Sequence, residues 1–595
     1  MSLVTHDAAL HLLRTAMVGR DAQNADSIHF RDGQWEAIAY IINQRGKVLC
    51  VQRTGWGKSM VYFVAAKLMR AQGAGVTLII SPLLALMRNQ IEAAERLGLR
   101  ALRIDSTNKT AWAQARAQLL ANQVDLLLIS PERLANDQFV RQTLQPIAAR
   151  IGLLVVDEAH CISDWGQDFR PDYRRIGQIL ALLPSNIAVL ATTATANHRV
   201  VKDVAAQLGG SVEVQRGPLV RKSLLLQAVR MPGPAERLAW LADHIPQLPG
   251  SGIVYTLTIR DANRVAEWLC LNGVDARAYH ADKTDAEREA LEKALLANEV
   301  KCLVATTALG MGYDKPDLTF VIHYQTPGNV VAYYQQVGRA GRAIPEAYGV
   351  LLSGEEEAKI NAYFRDSAFP PEWQVKRILE ALEAADNGLN VRGIERAVNL
   401  RQSQIGKVLK LLVVEPLSPV VKIDSLWYRT PNPYQIDRAR IAHLTVQRAN
   451  EWEQMERYLA NERCLMQFLA EALDDPHAQP CGRCAVCLGR PVLPLEVQRS
   501  TQIAARRFVR HSEMPLELNK QWDLDAFAIY REQFRWTAYN IPTTLRGEEG
   551  RILSRWGEPV WGEVVAQGKA HGRFDDELVE AAVDLIRNRW GDAAP

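Results

Sequence analysis

Cysteine is scarce, eight in 595 residues, which excludes a disulfide framework and with it a small secreted scaffold. No apolar run approaches the roughly 18 residues of a membrane span. The first stretch, Met1 to Gly19, is interrupted by Asp7 and Arg14, so no secretory apolar region is present. Charge of one sign is missing too: 70 Lys and Arg stand against 67 Asp and Glu, a net of +3. No global field attracts a polyanion, so nucleic-acid binding would have to come from local patches. Internal repeats and low-complexity tracts are absent. What remains is an ordinary globular composition, 48% hydrophobic and 23% charged. At roughly 100–200 residues each, about three to five domains are expected. A soluble protein of a reducing cytoplasm, with no membrane partner, is the reading.

From about residue 35 to 350, short apolar runs alternate with helical segments. Val48–Gln52, Thr77–Ser81, Leu126–Ser130, Leu153–Asp157 and Ala188–Thr192 are nearly continuous, as strands buried on both faces should be. The pattern restarts with Gly252–Tyr255, Arg277–His280, Cys302–Thr306, Phe320–His323 and Gly349–Leu352. Two parallel α/β lobes are expected, meeting in the Gly- and Pro-rich stretch Leu208–Gly250. After Pro370-Pro371 the texture changes. A helix to about Ala385, short helices near Val391–Asn399 and Gln402–Leu412, and strands Val420–Ile423 and Leu426–Thr430 around Asp424-Ser425 predict a winged helix. An amphipathic helix over about Ala449–Leu473 leads into a cysteine cluster. The last hundred residues are mixed and Trp-rich.

Three motifs carry chemistry. Thr54-Gly55-Trp56-Gly57-Lys58-Ser59 follows a strand and opens a helix, the setting of a phosphate loop. Backbone N–H groups there cradle phosphates, Lys58 meets the β/γ-phosphates and the Ser59 hydroxyl ligates Mg²⁺. Gln52 occupies the place of that loop's usual first glycine. About 100 residues on, Leu153–Val156 delivers Asp157 and Glu158 at a strand end, Asp157 to hold Mg²⁺ and Glu158 to orient and polarise a water. In Gln335-Gln336-Val337-Gly338-Arg339-Ala340-Gly341-Arg342, two arginines three apart share a face and are candidates for γ-phosphate stabilisation from the second lobe. Cys464, Cys481, Cys484 and Cys487 offer four thiolates, suited to closed tetrahedral Zn²⁺ and chemically to an iron–sulfur cluster.

Taken in order, these motifs resemble the RecQ-type DNA helicases of helicase superfamily two. Phe30-Arg31-Asp32-Gly33-Gln34 resembles the adenine-reading segment, so Arg31 and Gln34 are implied cofactor contacts; Ser27 stands where the family has an aromatic. Ser81–Met87, Ser130–Leu134, Thr192–Ala196 and Thr306–Pro316, including Asp314, match further segments. His160–Pro171 resembles the family's aromatic-rich loop, which implies DNA or coupling roles for His160, Trp165, Phe169 and Arg170. The cysteine spacing resembles its zinc module. The resemblance covers roughly residues 27–350. About 120 residues separate Arg342 from Cys464, and the winged-helix pattern lies between them, a layout similar to the RqlH branch. That branch can carry a phosphoribosyltransferase-like module at its C-terminus; none is evident before Pro595, which reads as a truncated chain.

The expected organisation is an N-terminal helical segment (1–26), two RecA-like lobes (27–207 and 208–369), a winged helix (370–443), a zinc module (444–494) and a C-terminal segment without assigned role (495–595). The resemblance implies an ATP-dependent, 3′-to-5′ DNA helicase of repair or recombination, stimulated by single-stranded DNA. It would use ATP, Mg²⁺ and Zn²⁺, act on single-stranded and duplex DNA, and work as a monomer. Trp427 and Tyr428 flank the hairpin turn, and alternation turns one of them outward, with Trp427 a candidate DNA contact. Arg401, Lys407, Lys410, Lys422 and Arg429 are candidates for duplex phosphates. An RNA-dependent ATPase and a DNA remodeller that translocates without separating strands share the two-lobe pattern; the aromatic-rich loop and the cysteine spacing favour DNA.

Overall fold

The computed structural model describes residues 3–17, 28–82, 84–105, 112–163, 171–209, 211–231, 233–310, 313–413, 415, 417–510, 514–516, 522, 524–536, 541–546, 550–554 and 561–590. Seven strands build the first sheet: β1 Lys47–Val51, β2 Thr77–Ile80, β3 Ala101–Ile104, β4 Leu126–Ile129, β5 Leu153–Val156, β6 Ala188–Thr193 and β7 Glu213–Arg216. Their order is β3-β4-β2-β5-β6-β1-β7 and every pairing is parallel. The second sheet holds β8 Leu224–Arg230, β9 Gly252–Tyr255, β10 Ala276–Tyr279, β11 Cys302–Ala305, β12 Phe320–His323 and β13 Ala347–Ser353, ordered β10-β11-β9-β12-β13-β8, again all parallel. Helices cover both faces of each sheet, so the central strands have apolar side chains on both sides.

Three strands go beyond the sequence reading. β3, β7 and β8 are sheet edges, and their sequences ALRI, EVQR and LLLQAVR mix charge into the apolar pattern. An edge strand needs fewer apolar residues because one side meets solvent. β7 pairs with β1, so the first sheet runs past the expected break at 207/208.

The second lobe has a buried charge network. Arg237, on helix Pro234–His244, donates to the Tyr324 carbonyl at 2.7 Å, pairs with Glu357 at 3.2 Å and also with Glu356. Burial pushes the Glu357 carboxyl up to about 7, and Arg237 opposes that rise.

Downstream, helices Glu372–Glu383, Val391–Val398 and Gln402–Val413 enclose their own core with the antiparallel hairpin β14 Val420–Ile423 and β15 Leu426–Arg429. Leu389, between the first two helices, bridges to Trp427 as a rudimentary third strand. That is the expected winged-helix order. Helix Arg438–Leu459 then runs continuously across the expected 443/444 boundary. The single helix expected over Ala449–Leu473 is two. The chain breaks after Leu459, and the Cys464 sulfur accepts from Gln467 N to start helix Leu465–Ala472. This second helix packs on one face of the second sheet, and helix Arg499–Arg510 packs on the other.

Replacing Arg237 by Met strands Glu357 in the core. A loss of about 3–5 kcal/mol is expected, read as a lower urea midpoint. Glu357 has a raised folded-state pKa, so its favourable share is present at low pH and lost as pH rises through about 7. Without Arg237 that pKa climbs further, and the deficit is therefore larger at pH 8 than at pH 5.

Candidate nucleotide site and cysteine cluster

The phosphate loop joins β1 to helix Lys58–Ala71. Gly57 has φ 93°, a left-handed conformation, and a Cβ there would stand 2.8 Å from Gln34 Nε2. The loop is latched from outside. Gln34 Nε2 donates to the Trp56 carbonyl at 2.9 Å, Trp56 Nε1 donates to the Asp32 carbonyl at 3.1 Å, and Arg31 donates to the Gly55 carbonyl. Arg31 and Gln34 thus belong to the loop's support. Ser27 lies outside the described residues.

Lys58 Nζ donates to the Gln52 carbonyl at 3.0 Å. Burial lowers its pKa, and Glu158 and Asp157 work against that. Ser59 follows Lys58 in the first turn of the same helix. At the end of β5, Asp157 accepts from Thr192 Oγ1 at 2.7 Å and Gln90 Nε2 at 2.8 Å. Burial, then the neighbouring Glu158 charge, pushes the Asp157 carboxyl up to about 6. Glu158 sits at φ 50°, and its Oε2 is buried, 3.4 Å from His160 Nδ1, without a hydrogen bond. An orphaned carboxylate oxygen beside a destabilised carboxylate and a buried ammonium is the donor set that Mg²⁺, water and phosphate would complete.

The second lobe closes this site. Arg342 Cγ lies 3.4 Å from where a Gly55 Cβ would be, which places the arginine stem over the loop. Its Nη1 donates to Asp314 Oδ1 at 2.6 Å, and its Nε is buried without a partner. Arg339 turns the other way, and its Nη1 donates to the Tyr313 carbonyl of its own lobe at 3.2 Å. Only one of the two arginines therefore reaches across. His160 is buried between Thr193 Oγ1 at 3.0 Å and Gln335 Nε2 at 3.4 Å, and the same Gln335 nitrogen donates to Thr195 Oγ1 at 2.7 Å. Trp165, Phe169 and Arg170 lie outside the described residues.

Sequence reasoning missed Arg221. Its Nη1 donates to Thr54 Oγ1 at 2.9 Å and the Gly338 carbonyl at 2.8 Å, and its Nη2 to the Ala340 and Gly341 carbonyls at 2.8 Å each. Thr54 Oγ1 itself donates to the Gly338 carbonyl at 2.8 Å. One guanidinium thus ties the phosphate loop to the two-arginine motif. A lone arginine in a Pro- and Gly-rich linker carried no signal. Gln90 and Thr192, the Asp157 partners, had none as ligand supports either.

The four cluster sulfurs, of Cys464, Cys481, Cys484 and Cys487, lie within 4.8 Å of one another. Cys464 Sγ is 3.5 Å from Cys481 Sγ and 3.9 Å from Cys484 Sγ. Tetrahedral Zn–S bonds of about 2.3 Å separate sulfurs by about 3.8 Å, so the residues fit the ion. Backbone N–H groups of Leu465, Gln467, Cys481, Arg483 and Cys487 point at these sulfurs, as thiolates require.

In the winged helix the expected contacts are redistributed. Trp427 and Tyr428 are both half-buried, Trp427 against the domain core and Tyr428 over Gly388. The apolar residues that face outward on the wing are Val421 and Ile423, the latter 55% exposed. Arg429 Nη1 donates to the carbonyls of Pro419, Thr430 and Asn432, so it serves the wing's own backbone.

A phosphate loop with a carboxylate pair on one parallel sheet, closed by an arginine from a second, defines the two-lobe helicase class. The DEAD/DEAH box helicase model matches residues 31–204 and the Helicase conserved C-terminal domain model residues 236–344. The ATP-dependent DNA helicase RecQ of Bacillus subtilis is 35% identical over 365 residues, 60% of this chain and 59% of that protein. The protein of the same name from Synechocystis sp. is 31% identical over 470 residues, 77% of this chain and 95% of that protein. The chain belongs to the RecQ family. It spans about half to three fifths of the RecQ proteins of Bacillus subtilis, Pasteurella multocida and Haemophilus influenzae. The solved structure of Mss116p bound to ssRNA and AMP-PNP shares the fold, with a TM-score of 0.51 at 15% identity, over 84% of this chain and 94% of that one. No helix among the described residues is long and apolar enough to cross a membrane.

Elemental analysis of purified protein is expected to find about one Zn per chain. Cys484→Ser should yield poorly soluble or early-melting protein, because a broken structural site unfolds its module. Metal-free protein of full stability would contradict this assignment.

Proposed function

We propose that the protein is an ATP-dependent DNA helicase that moves 3′ to 5′ on single-stranded DNA, hydrolyses ATP in response to it, and separates duplexes in repair or recombination. The observation that carries this reading is Arg342, reaching from the second lobe over a phosphate loop whose Lys58 faces the buried Asp157–Glu158 pair. The RecQ relatives support DNA as the polymer.

In this reading Lys58 and the loop N–H groups hold the β/γ-phosphates, and Ser59 and Asp157 hold Mg²⁺. The bound cation supplies charge neutralisation at the phosphate oxygens. Glu158 orients and deprotonates the attacking water. Its orphaned Oε2 is the acceptor that water needs. Arg342 meets charge that develops on the γ-phosphoryl group, and Asp314 releases it to do so. Arg339 holds the turn at Tyr313 and so acts on positioning. His160 and Gln335 link hydrolysis to lobe movement through Thr193 and Thr195. Arg31 and Gln34 set the loop against the adenine side. Zn²⁺ on the four cysteines is structural. On the wing, Ile423 with Lys422 replaces Trp427 as the surface that abuts duplex. In this reading the protein works in the cytoplasm as a monomer.

Lys58→Ala should abolish hydrolysis with single-strand affinity kept within a few fold. Glu158→Gln should bind nucleotide and lose roughly 10²–10⁴-fold in turnover. Arg342→Ala should lose roughly 10³-fold or more. Wild-type turnover in the Gln variant would remove Glu158 from its role.

The decisive assay is strand displacement on a 3′-tailed duplex. A 5′-tailed duplex serves as polarity control, and poly-dT and poly-U are compared as ATPase activators. Stimulation by poly-U alone would mark an RNA-dependent ATPase. ATPase without displacement would mark a translocating remodeller. Ile423→Asp should slow displacement several fold, while ATPase stimulated by single strands stays near wild type.

A further inference from the structure

The face of helix Gln402–Val413 that carries the exposed Lys407 and Lys410 forms one wall of a groove. It looks across that groove at helix Arg438–Leu459, which presents Arg440 and Arg448. The groove encloses about 200 Å³, below the roughly 300–1,000 Å³ of pockets for drug-sized ligands. A duplex does not enter it. Its floor is apolar and aromatic, with Phe369, Tyr434 and Leu444.

The charge balance is uneven. Of the two carboxylates present, Asp437 accepts from Arg440 N at 2.9 Å as a helix cap, and Glu415 stands 4.0 Å from Arg440. Arg448 lies over the Phe369 ring at 5.2 Å. Lys407 donates to the Ser367 carbonyl, and burial with the facing Arg448 charge lowers its pKa. Lys410 is exposed and has no ion pair or hydrogen bond among the described residues. Four cations thus line the groove against the Glu415 and Asp437 carboxylates, with Glu451 offsetting Arg448 from its own helix, and an anion with a flat apolar part would complement both the excess charge and the aromatic floor.

We infer that this groove binds one unpaired nucleotide of single-stranded DNA, its base on the Phe369–Tyr434–Leu444 floor and its phosphate among Lys407, Lys410 and Arg440. This rests on the helicase reading and adds to it a hold on the separated strand behind the wing. Stacking on aromatic rings is sequence-tolerant, and the cations read only backbone charge.

The test uses the full chain with fluorescein-labelled oligo-dT, a blunt duplex of equal length, and salt titrations. Lys410→Gln should weaken oligo-dT binding several fold and lower the salt slope by roughly 0.7, the share of one single-strand phosphate. Leu444→Trp, which fills the floor, should weaken oligo-dT binding at least as much and leave the slope unchanged. Neither should alter blunt-duplex affinity. Thermal melting checks that both variants fold; if Leu444→Trp does not, the Lys410→Gln slope decides. Unchanged oligo-dT affinity and slope would overturn the groove assignment, as would equal losses on the blunt duplex. Wild-type protein that binds no DNA at all would overturn the helicase reading itself, a separable outcome.

Discussion

The structure turns on a buried cation at the seam between two sheets. Arg221 is 1% exposed, a placement that is costly for a charge unless its donors are met. The two Nη donors are met by Thr54 of one lobe and by the Gly338, Ala340 and Gly341 backbone of the other, while Nε is buried without a partner. Burial, and then the repulsion of Arg342, Arg53 and Arg31, lowers its pKa to about 10. Arginine remains charged at neutral pH despite this. The seam is thus held by hydrogen bonds and strained by like charge, a strain that a polyphosphate among these cations would relieve.

The cysteine cluster is tied to the same seam. Leu219 N, two residues before Arg221, donates to Asp475 Oδ2 at 2.7 Å, and Arg216 donates to the Leu473 carbonyl at 2.9 Å. His198 of the first lobe meets Asp474, and Arg483 reaches the Lys222 carbonyl at 2.7 Å. The module that follows Cys464 therefore grips the linker between the sheets from both sides. These contacts connect the four-sulfur site to the segment that carries Arg221. Helix Arg499–Arg510 completes the enclosure on the opposite face of the second sheet, with Trp240 Nε1 donating to the Pro494 carbonyl at 2.9 Å.

The winged helix shows how docking redirects a surface. Alone, the face of helix Gln402–Val413 with Lys407 and Lys410 would be its solvent side and the natural place for duplex phosphates. Helix Arg438–Leu459 stands opposite it and turns that face into the wall of a groove. The wing keeps an exposed tip, but Val421 and Ile423 stand outside, while Trp427 is pinned to Leu389 through a backbone pair.

By itself the sequence determined the two parallel sheets, the winged helix, the phosphate loop, the carboxylate pair and the cysteine cluster. Each of these is a local property: a strand buried on both faces must be continuously apolar, a phosphate loop needs its glycines and lysine in consecutive places, and a metal cluster needs closely spaced thiolates. Edge strands β3, β7 and β8 stayed hidden because half-solvated strands need no such run. The break at Ala460–Cys464 stayed hidden because the cap that starts the next helix is a cysteine sulfur. Tertiary structure alone decided that Arg342 and not Arg339 crosses to the loop, that Arg221 joins the lobes, and that Lys410 faces a groove. These outcomes depend on which surfaces meet across hundreds of residues, and a side chain's partner at that distance leaves no trace in its neighbours along the chain.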